Sequence, residues 1–298
     1  MNGLISFLET QDVKYQRNVE LSKLTSIGIG GRANLLISPQ SKELFTKTLN
    51  YLFKNEIPYK LVGNMTNILP SDGELETALV STLELKEYTI SNNTVYADCG
   101  MLFSKLILIA AKNMLGGCEN LFGIPGTVGA MLSINAGAYG SAISDFLNFV
   151  DVYVPYDDYI LRLKRADISF DYRDSELRRQ GLTILGAGFN FLPTSRQECE
   201  FKIKALRDRR AAAQPINAKT LGSVFKRTKK IPASYMIDRC GLKGARIGNV
   251  SVSDKHAGFF VNLGGGTAAQ FLQLADFVKS AVREKYGVVL EEEFEFLT

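Results

Sequence analysis

The segment GTVGAMLSINAGAYGSAISD, residues 126–145, has a backbone with few large side chains. More than half of its residues are glycine, alanine or serine, and its only charge is the closing Asp145. It is too small-sided to build a core by itself and too apolar for a solvated linker. Because glycine lets backbone N–H groups approach an anion closely, we expect its main chain to contact a ligand.

The composition is that of a core-forming protein with about two domains. The chain has 298 residues, of which 46% are hydrophobic and 22% charged, with a net charge of +4. No block of lysine and arginine is interleaved with aromatic residues, so we expect no nucleic-acid partner. The first ten residues lack the features of a signal peptide, and no apolar run reaches the ~20 residues of a membrane span. We therefore expect a cytoplasmic protein without membrane insertion, and we take it to be a monomer.

The cysteines do not form a metal-binding pattern. Cys99, Cys118, Cys199 and Cys240 are scattered, and His256 is the single histidine. Zinc sites use closely spaced pairs of such residues, and disulfide frameworks are typical of much shorter chains. We expect free, packed thiols and no metal.

Helical and strand patterns alternate only in places, which favours an α+β fold. Apolar spacing predicts strands and helices with two capped starts, at Ser41 and Thr267. The predicted β-α-β unit comprises strand 32–39, a helix in residues 41–56 with Ser41 as its cap, and strand 57–63. The other predicted helices are 101–115, 196–214 and 267–287, and the other strands are 94–100, 146–155, 159–168, 182–192, 256–263 and 288–297.

Two segments fit the G-x-G-x-x-G/A dinucleotide pattern without its structural context. Residues 28–33 follow a polar segment and precede a strand, whereas the motif lies between a buried strand and a helix. Residues 264–269 come too near the end of the sequence for the rest of a dinucleotide-binding fold. We interpret the second as a tight turn that leads into a helix capped by Thr267.

Three glycine-bearing loops remain as candidates for an anion site: residues 28–31, 62–67 and 123–140. Thr66, Asn67 and Thr127 add neutral hydrogen-bonding groups to them. A turn explains any one of these loops, but the three together suggest a long, phosphate-bearing ligand.

Three further features could carry chemistry. Arg173 stands among aromatic residues, and Ser223 follows a glycine. In the closing LEEEFEF, a strand would place Glu291, Glu293 and Glu295 on one face and the phenylalanines on the other. Each has a simpler interpretation, as a surface stack, a turn or a solvated acidic run.

In sequence order, the motifs resemble the UDP-N-acetylenolpyruvoylglucosamine reductase family, also called UDP-N-acetylmuramate dehydrogenase or MurB, in its shorter subtype. They are TSIGIGGRA, LVGNMTNIL, the opening segment with its preceding GIP, YRDS, RRAAAQP, GSVFK, GLKGARIG, VSDKHAGFFVN and LEEEFEF. The resemblance implies an α+β fold: a two-part FAD-binding module of the vanillyl-alcohol-oxidase (PCMH) type, followed by a smaller α/β substrate domain. The implied domains are residues 1–75, 76–197 and 198–298.

The resemblance also implies bound FAD, with NADPH as co-substrate. NADPH reduces the flavin, and the UDP-N-acetylglucosamine enolpyruvyl ether then receives a hydride, which yields UDP-N-acetylmuramate for peptidoglycan. The implied cofactor-binding residues are Gly63, Asn64, Met65, Thr66, Asn67, Gly123, Ile124, Pro125, Gly126, Thr127, Gly129, Ala130, Asn135, Ala136 and Gly137.

The family's catalytic positions are matched by Arg173, Ser223 and Glu293. By resemblance, Arg173 binds the substrate carboxylate, Ser223 delivers a proton to C2, and Glu293 helps to stabilise the enol form. The implied substrate-binding residues are Tyr139, Tyr172, Lys226 and Arg227.

The sequence departs from the family's pattern at four loop positions. Met65, Ala130 and Asn249 replace glycines, and Thr228 replaces a proline. If Met65 takes a positive φ, its side chain costs on the order of 1 kcal/mol or more. Two other functions remain open: a flavoprotein oxidoreductase of this fold with another substrate, and a diverged, non-catalytic flavin- or nucleotide-binding paralogue.

Overall fold

The computed structural model describes residues 2–228 and 231–298, and the chain forms two compact units. The first unit comprises the chain up to Arg17, Leu35–Asn64 and Thr77–Asp208. The second comprises Asn18–Asn34, Met65–Glu76 and the chain from Arg209 onward. Two segments from the N-terminal quarter thus belong to the same unit as the C-terminal third. The division at residues 75 and 197 stays a prediction.

The helices and strands alternate irregularly along the chain, which confirms the α+β class. The α-helices are α1 (Asn2–Thr10), α2 (Lys42–Lys54), α3 (Phe103–Lys112), α4 (Val128–Ser133), α5 (Glu176–Arg179), α6 (Arg196–Ala213), α7 (Ala233–Arg239) and α8 (Ala268–Tyr286). The strands are β1 (Lys14–Glu20), β2 (Arg32–Ser38), β3 (Tyr59–Val62), β4 (Ile68–Pro70), β5 (Glu74–Leu75), β6 (Ala78–Ser81), β7 (Tyr88–Ser91), β8 (Thr94–Asp98), β9 (Leu115–Gly116), β10 (Gly137–Ala138), β11 (Ser141–Ala142), β12 (Leu147–Val154), β13 (Tyr159–Lys164), β14 (Phe170–Asp171), β15 (Asp174–Ser175), β16 (Thr183–Asn190), β17 (Leu192–Pro193), β18 (Arg246–Ile247), β19 (Val250–Val252), β20 (Phe260–Asn262) and β21 (Glu295–Leu297).

The first unit contains an antiparallel sheet in the order β13-β12-β16-β8-β7 and the parallel strands β2, β6 and β3. The predicted β2-α2-β3 unit is present, and the side chain of Ser41 caps α2 by accepting from the Leu44 amide at 3.2 Å. Strand β6 lies between β2 and β3. All four of its residues are buried, as expected for a central strand of a parallel sheet. Fully buried aromatic residues, including Phe45 and Phe103, fill the core.

The second unit packs α7 and α8 around the antiparallel sheet β18-β19-β20. Helix α8 starts at the predicted cap, where the Thr267 hydroxyl accepts from the Gln270 amide at 3.2 Å. It ends at Gly287, whose φ of 67° is the left-handed conformation common after helices. Strand β21 pairs in parallel with β4, so the end of the sequence joins an early segment.

Three predicted elements differ clearly from the structure. The strand predicted at residues 256–263 is limited to Phe260–Asn262, because the Phe259 amide donates to the His256 carbonyl oxygen in a turn. Helix α3 ends at Lys112 instead of continuing to residue 115, because Met114 has a φ of 58° and Leu115–Gly116 pairs with β17. The C-terminal strand is interrupted by a bend at Phe294, and only Glu295–Leu297 forms a strand. The prediction that the three glutamates share one face of a continuous strand is therefore wrong.

Within residues 2–228 and 231–298, no helix is both long enough and apolar enough to cross a membrane.

Candidate functional site

In the first unit, the small residues of the opening segment let its main chain pack closely against neighbouring chain. A methyl group added to Gly129 would lie 3.0 Å from Cβ of Cys99, and one added to Gly137 would lie 2.5 Å from the carbonyl oxygen of Ser141. Real Cβ atoms do not approach another atom to 2.5 Å without displacing it. Close packing within the protein is thus one reason for the bare sequence, in addition to the expected contact with a ligand.

Two of the predicted cofactor loops lie side by side in this unit. A methyl group added to Gly63 would lie 2.8 Å from Oγ1 of Thr127 and 3.7 Å from Cβ of Ala130. The side-chain amide of Asn64 donates to the carbonyl oxygen of Pro125 at 2.9 Å, which ties the two loops together. Ala130 is exposed, and its methyl group lies on the side that faces Gly63. The substituted methyl therefore borders the candidate site.

The chemistry of these loops fits an anionic ligand such as the diphosphate of FAD. No acidic residue occurs between Glu56 and Asp72, or between Glu119 and Asp145. The hydroxyl of Thr127 caps α4 by accepting from the Ala130 amide at 3.4 Å. The loops thus offer main-chain N–H groups and neutral side chains without a carboxylate to repel phosphate.

Arg173 lies in the two-residue turn of the hairpin formed by β14 and β15. Its φ of 55° is unusual for a residue with a side chain, and such conformations concentrate at functional sites. The guanidinium carbon lies 5.3 Å from the ring centroid of Tyr172, which is half exposed. The turn therefore presents both predicted substrate-contacting side chains at the surface of the first unit.

Asn135 connects this hairpin to the glycine-rich segment. Its side-chain amide donates to the carbonyl oxygen of Asp171 at 3.1 Å and accepts from the Ser144 amide at 3.4 Å. Close by, the Ser175 hydroxyl donates to the carbonyl oxygen of Ser133 at 2.7 Å. The predicted cofactor segment and the Arg173 turn thus form one arrangement, and the side chain of Asn135 serves to hold it together.

In the second unit, Ser223 is mounted on a short ladder of main-chain hydrogen bonds. It follows Gly222, whose φ of 91° is the left-handed conformation that glycine tolerates. Ser223 forms an isolated antiparallel bridge with Phe259, and the Val224 amide donates to the carbonyl oxygen of Gly258 at 2.9 Å. The half-buried serine is therefore fixed through its backbone.

Glu293 lies on the segment next to Ser223. Its amide donates to the carbonyl oxygen of Val224 at 2.8 Å, and its own carbonyl oxygen accepts from the side-chain amide of Asn67 at 3.0 Å. The structure thus brings two of the three predicted catalytic residues onto adjacent segments of one unit. Arg173 belongs to the other unit. The role of Asn67 has no local sequence signal, because its partner lies 226 residues away.

Two basic residues, Lys226 and Arg227, lie near this ladder. The Lys226 amide donates to the carbonyl oxygen of Glu291, and its ammonium lies 3.3 Å from the same residue's carboxylate. Such exposed ion pairs contribute little stability, so Lys226 can exchange its carboxylate for an anionic ligand at small cost. Arg227 is exposed beside it.

Met65 has a φ of 46°, in the left-handed region that favours glycine. It belongs to the second unit, and its side chain is buried. A left-handed conformation costs a residue with a side chain about 1–2 kcal/mol. The strain considered from the sequence is therefore present in the candidate cofactor loop.

His256, which the predicted site did not include, supports the serine ladder. Its Nδ1 accepts from the Gly258 amide at 3.1 Å, and its ring packs edge-on against Phe259, with 4.9 Å between centroids. Burial lowers the pKa of His256 below its usual value. The neutral imidazole therefore holds the loop that pairs with Ser223 and Val224.

The cysteines are free thiols. Burial raises the pKa of the Cys99 thiol to about 12, which makes it unreactive. Among the residues that the structure describes, no group of histidine, cysteine and carboxylate side chains could hold a metal ion. A cavity of ≈ 360 Å³ in the second unit is lined by Ala211, Pro215, Ile216, Asn217, Ala218 and Lys255, none of them a predicted site residue.

Both parts of the chain match known protein families. Residues 33–163 match the FAD binding domain family, and residues 214–297 match the family described as UDP-N-acetylenolpyruvoylglucosamine reductase, C-terminal domain. The two matches follow the predicted order of an FAD-binding module and a smaller C-terminal domain.

Relatives with this enzyme name align over nearly the whole chain. The UDP-N-acetylenolpyruvoylglucosamine reductase of Fervidobacterium nodosum is 38% identical, over 93% of this chain and 90% of its own length. That of Caldicellulosiruptor saccharolyticus is 35% identical, over 97% and 94% respectively. The crystal structure of the Thermus caldophilus enzyme superposes with a TM-score of 0.81 and 28% identity, covering 96% of this chain and 99% of that one. The expected fold is confirmed.

Proposed function

Because this chain belongs to the UDP-N-acetylenolpyruvoylglucosamine reductase family, we propose that it reduces UDP-N-acetylenolpyruvoylglucosamine to UDP-N-acetylmuramate. The proposal takes FAD as the bound cofactor and NADPH as the reductant, in peptidoglycan precursor synthesis. It also takes the enzyme to be monomeric and cytoplasmic. The observation that carries it is that Ser223 and Glu293 lie on adjacent segments. These segments are joined by the hydrogen bond from the Glu293 amide to the Val224 carbonyl oxygen.

When bound, FAD supplies the hydride that is added to C3 of the enolpyruvyl group. The carboxylate-free loops around Gly63 and Thr127 would hold its diphosphate through main-chain N–H groups and neutral side chains. Their close packing against one another fixes these groups in place without long side chains.

Hydride addition at C3 leaves negative charge at C2 and on the substrate carboxylate, and this charge needs fixed cationic or acidic partners. Arg173 would bind the carboxylate through two parallel N–H groups. The left-handed turn at Arg173, held through Asn135 and Asp171, keeps the guanidinium on a rigid base. Lys226 and Arg227 would bind the diphosphate of the sugar nucleotide.

Ser223 would deliver the proton to C2, and Glu293 would stabilise the enol form. A serine hydroxyl is a weak acid, so it can serve only when it is aimed within hydrogen-bond reach of a basic enolate. The main-chain bonds among Val224, Gly258 and Phe259 support this role. They hold Ser223 by its backbone and do not use its hydroxyl.

The proposal is tested by anaerobic reduction of the flavin with NADPH, followed by addition of the enolpyruvyl substrate. We expect a yellow protein whose flavin is reduced by NADPH and reoxidised by substrate with stoichiometric formation of UDP-N-acetylmuramate. A protein that does not retain FAD, or whose reduced flavin is not reoxidised by this substrate, would contradict the proposal.

Ser223→Ala separates the two half-reactions. Loss of a general acid slows its step by about 10²–10⁴-fold, so flavin reoxidation by substrate should slow by that factor while flavin reduction by NADPH stays near normal. Both rates are measured by stopped-flow absorbance of the flavin. Equal slowing of both half-reactions would exclude Ser223 as the proton donor.

A further inference from the structure

Asn67 makes two hydrogen bonds to the C-terminal acidic segment. Its side-chain amide donates to the main-chain carbonyl oxygen of Glu293 at 3.0 Å. Its own main-chain carbonyl oxygen accepts from the Glu295 amide at 2.9 Å. The two bonds attach on either side of Phe294, where the chain bends. Asn67 therefore stabilises the bend that interrupts the C-terminal strand.

The side-chain bond completes the fixation of the Glu293 backbone. The Glu293 amide is held by the Val224 carbonyl, next to Ser223, and its carbonyl oxygen is held by Asn67. Directly after Asn67, β4 starts and pairs in register with β21, with Ile68 opposite Glu295. The peptide groups on both sides of the Glu293 Cα are thus bound to neighbouring segments, which fixes the direction in which its side chain leaves the backbone.

From these contacts we infer that Asn67 is a positioning residue for Glu293 and acts through the Glu293 carbonyl. The inference rests on the proposed function, in which Glu293 stabilises the enol form. It gives Asn67 a task beyond the predicted cofactor binding, because one N–H of its amide is already donated within the protein. Asn67 also joins the cofactor loop directly to the segment that carries the acid, since Met65 and Thr66 precede it.

The test uses Asn67→Ala and the isosteric Asn67→Asp in the FAD-loaded enzyme. Neither side chain can donate to the Glu293 carbonyl at neutral pH, and the aspartate places a second acceptor against it. We expect flavin reoxidation by substrate to slow by about tenfold, mainly in kcat, as the loss of one hydrogen bond permits. In the FAD-saturated variants, flavin reduction by NADPH should slow clearly less than flavin reoxidation by substrate.

Asn113→Ala is the matched control. Its side-chain amide also donates to a backbone carbonyl, that of Ile109 at 2.9 Å, at the exposed end of α3. This variant loses the same type of bond outside the proposed machinery, so both half-reactions should keep wild-type rates.

A double-mutant cycle with Glu293→Gln distinguishes positioning from general loss of structure. If Asn67 acts only through Glu293, the double variant should reoxidise its flavin no more slowly than Glu293→Gln alone, within about twofold. The pH dependence of reoxidation in Asn67→Ala should change on the limb that Glu293→Gln abolishes. Additive effects in the cycle would overturn the inference.

Other outcomes separate this inference from the proposed function. A wild-type enzyme whose flavin is not reoxidised by substrate refutes the proposed function. A competent wild type together with wild-type reoxidation in both Asn67 variants overturns the inference alone. Equal slowing of both half-reactions in the FAD-saturated variants also overturns it, since Asn67 would then act on the cofactor alone.

Discussion

The candidate site residues of the first unit and those of the second are held in opposite ways. In the first unit, the glycine-rich segment is held by close backbone packing, because an added methyl group at Gly129 or Gly137 would collide with neighbouring chain. In the second unit, Ser223 and Glu293 are held by main-chain hydrogen bonds that do not depend on their own side chains. The difference implies that small substitutions in the first region damage structure, whereas catalytic substitutions in the second change chemistry and leave the fold intact.

Among substitutions at the candidate site residues, Gly137→Ala should have the largest effect on stability. The added methyl would lie 2.5 Å from the Ser141 carbonyl oxygen and 3.1 Å from Cα of Ala142, on the paired strand β11. Main-chain atoms of a paired strand cannot rotate away, so we expect the free energy of unfolding to fall by about 2 kcal/mol. Urea unfolding monitored by circular dichroism measures the change.

Gly73→Ala is the control for this prediction, because an added methyl there meets nothing within 4 Å and no positive φ is required. Its free energy of unfolding should stay within about 0.5 kcal/mol of wild type. Equal stability of the two variants would show that close backbone packing does not determine the structure of the glycine-rich segment.

The sequence predicted the features of the fold that depend on local chemistry. The helix caps at Ser41 and Thr267 were predicted because a cap and its helix are adjacent in sequence. The bend at Phe294 was missed, because alternation along a strand does not reveal that Asn67 binds on either side of it. The interleaving of the two units escaped prediction for the same reason, since it rests on distant pairs such as Ile68 with Glu295.

For the candidate site, the motifs indicated which residues to consider but not what holds them. Met65 was predicted to be strained if its φ were positive, and the structure has that φ. The contact of Asn135 with the Arg173 hairpin and that of His256 with Gly258 are side-chain bonds to backbone groups. Such bonds have no periodicity, so sequence patterns cannot predict them.

The pH dependence of stability tests how His256 supports the hydrogen-bonded segments of the second unit. Burial lowers the pKa of His256 in the folded protein from its usual value of 6.5, so between the two pKa values the unfolded chain binds more protons. The free energy of unfolding should therefore fall as the pH drops below about 6.5 and through the folded pKa. The chain has no other histidine, so the loss attributable to imidazole comes from this residue.

His256→Asn should lack this component of the acid loss, since the asparagine oxygen can still accept from the Gly258 amide and does not titrate. Urea unfolding of both proteins between pH 7.5 and 5 gives the difference, in which the carboxylates common to both cancel. Parallel curves over that range would mean that folding does not lower the pKa of His256.

Met65→Gly should have a smaller effect, because two terms oppose each other. Removing the side chain relieves about 1–2 kcal/mol of left-handed strain, but it gives up about 2 kcal/mol of burial and adds unfolded-state entropy. We expect a net loss of about 1 kcal/mol in urea unfolding. Met236→Gly, at a fully buried position in α7 without positive φ, should cost at least about 3 kcal/mol. Similar costs for the two variants would mean that the left-handed backbone at Met65 stores no strain, and that this glycine-like position is held by side-chain packing alone.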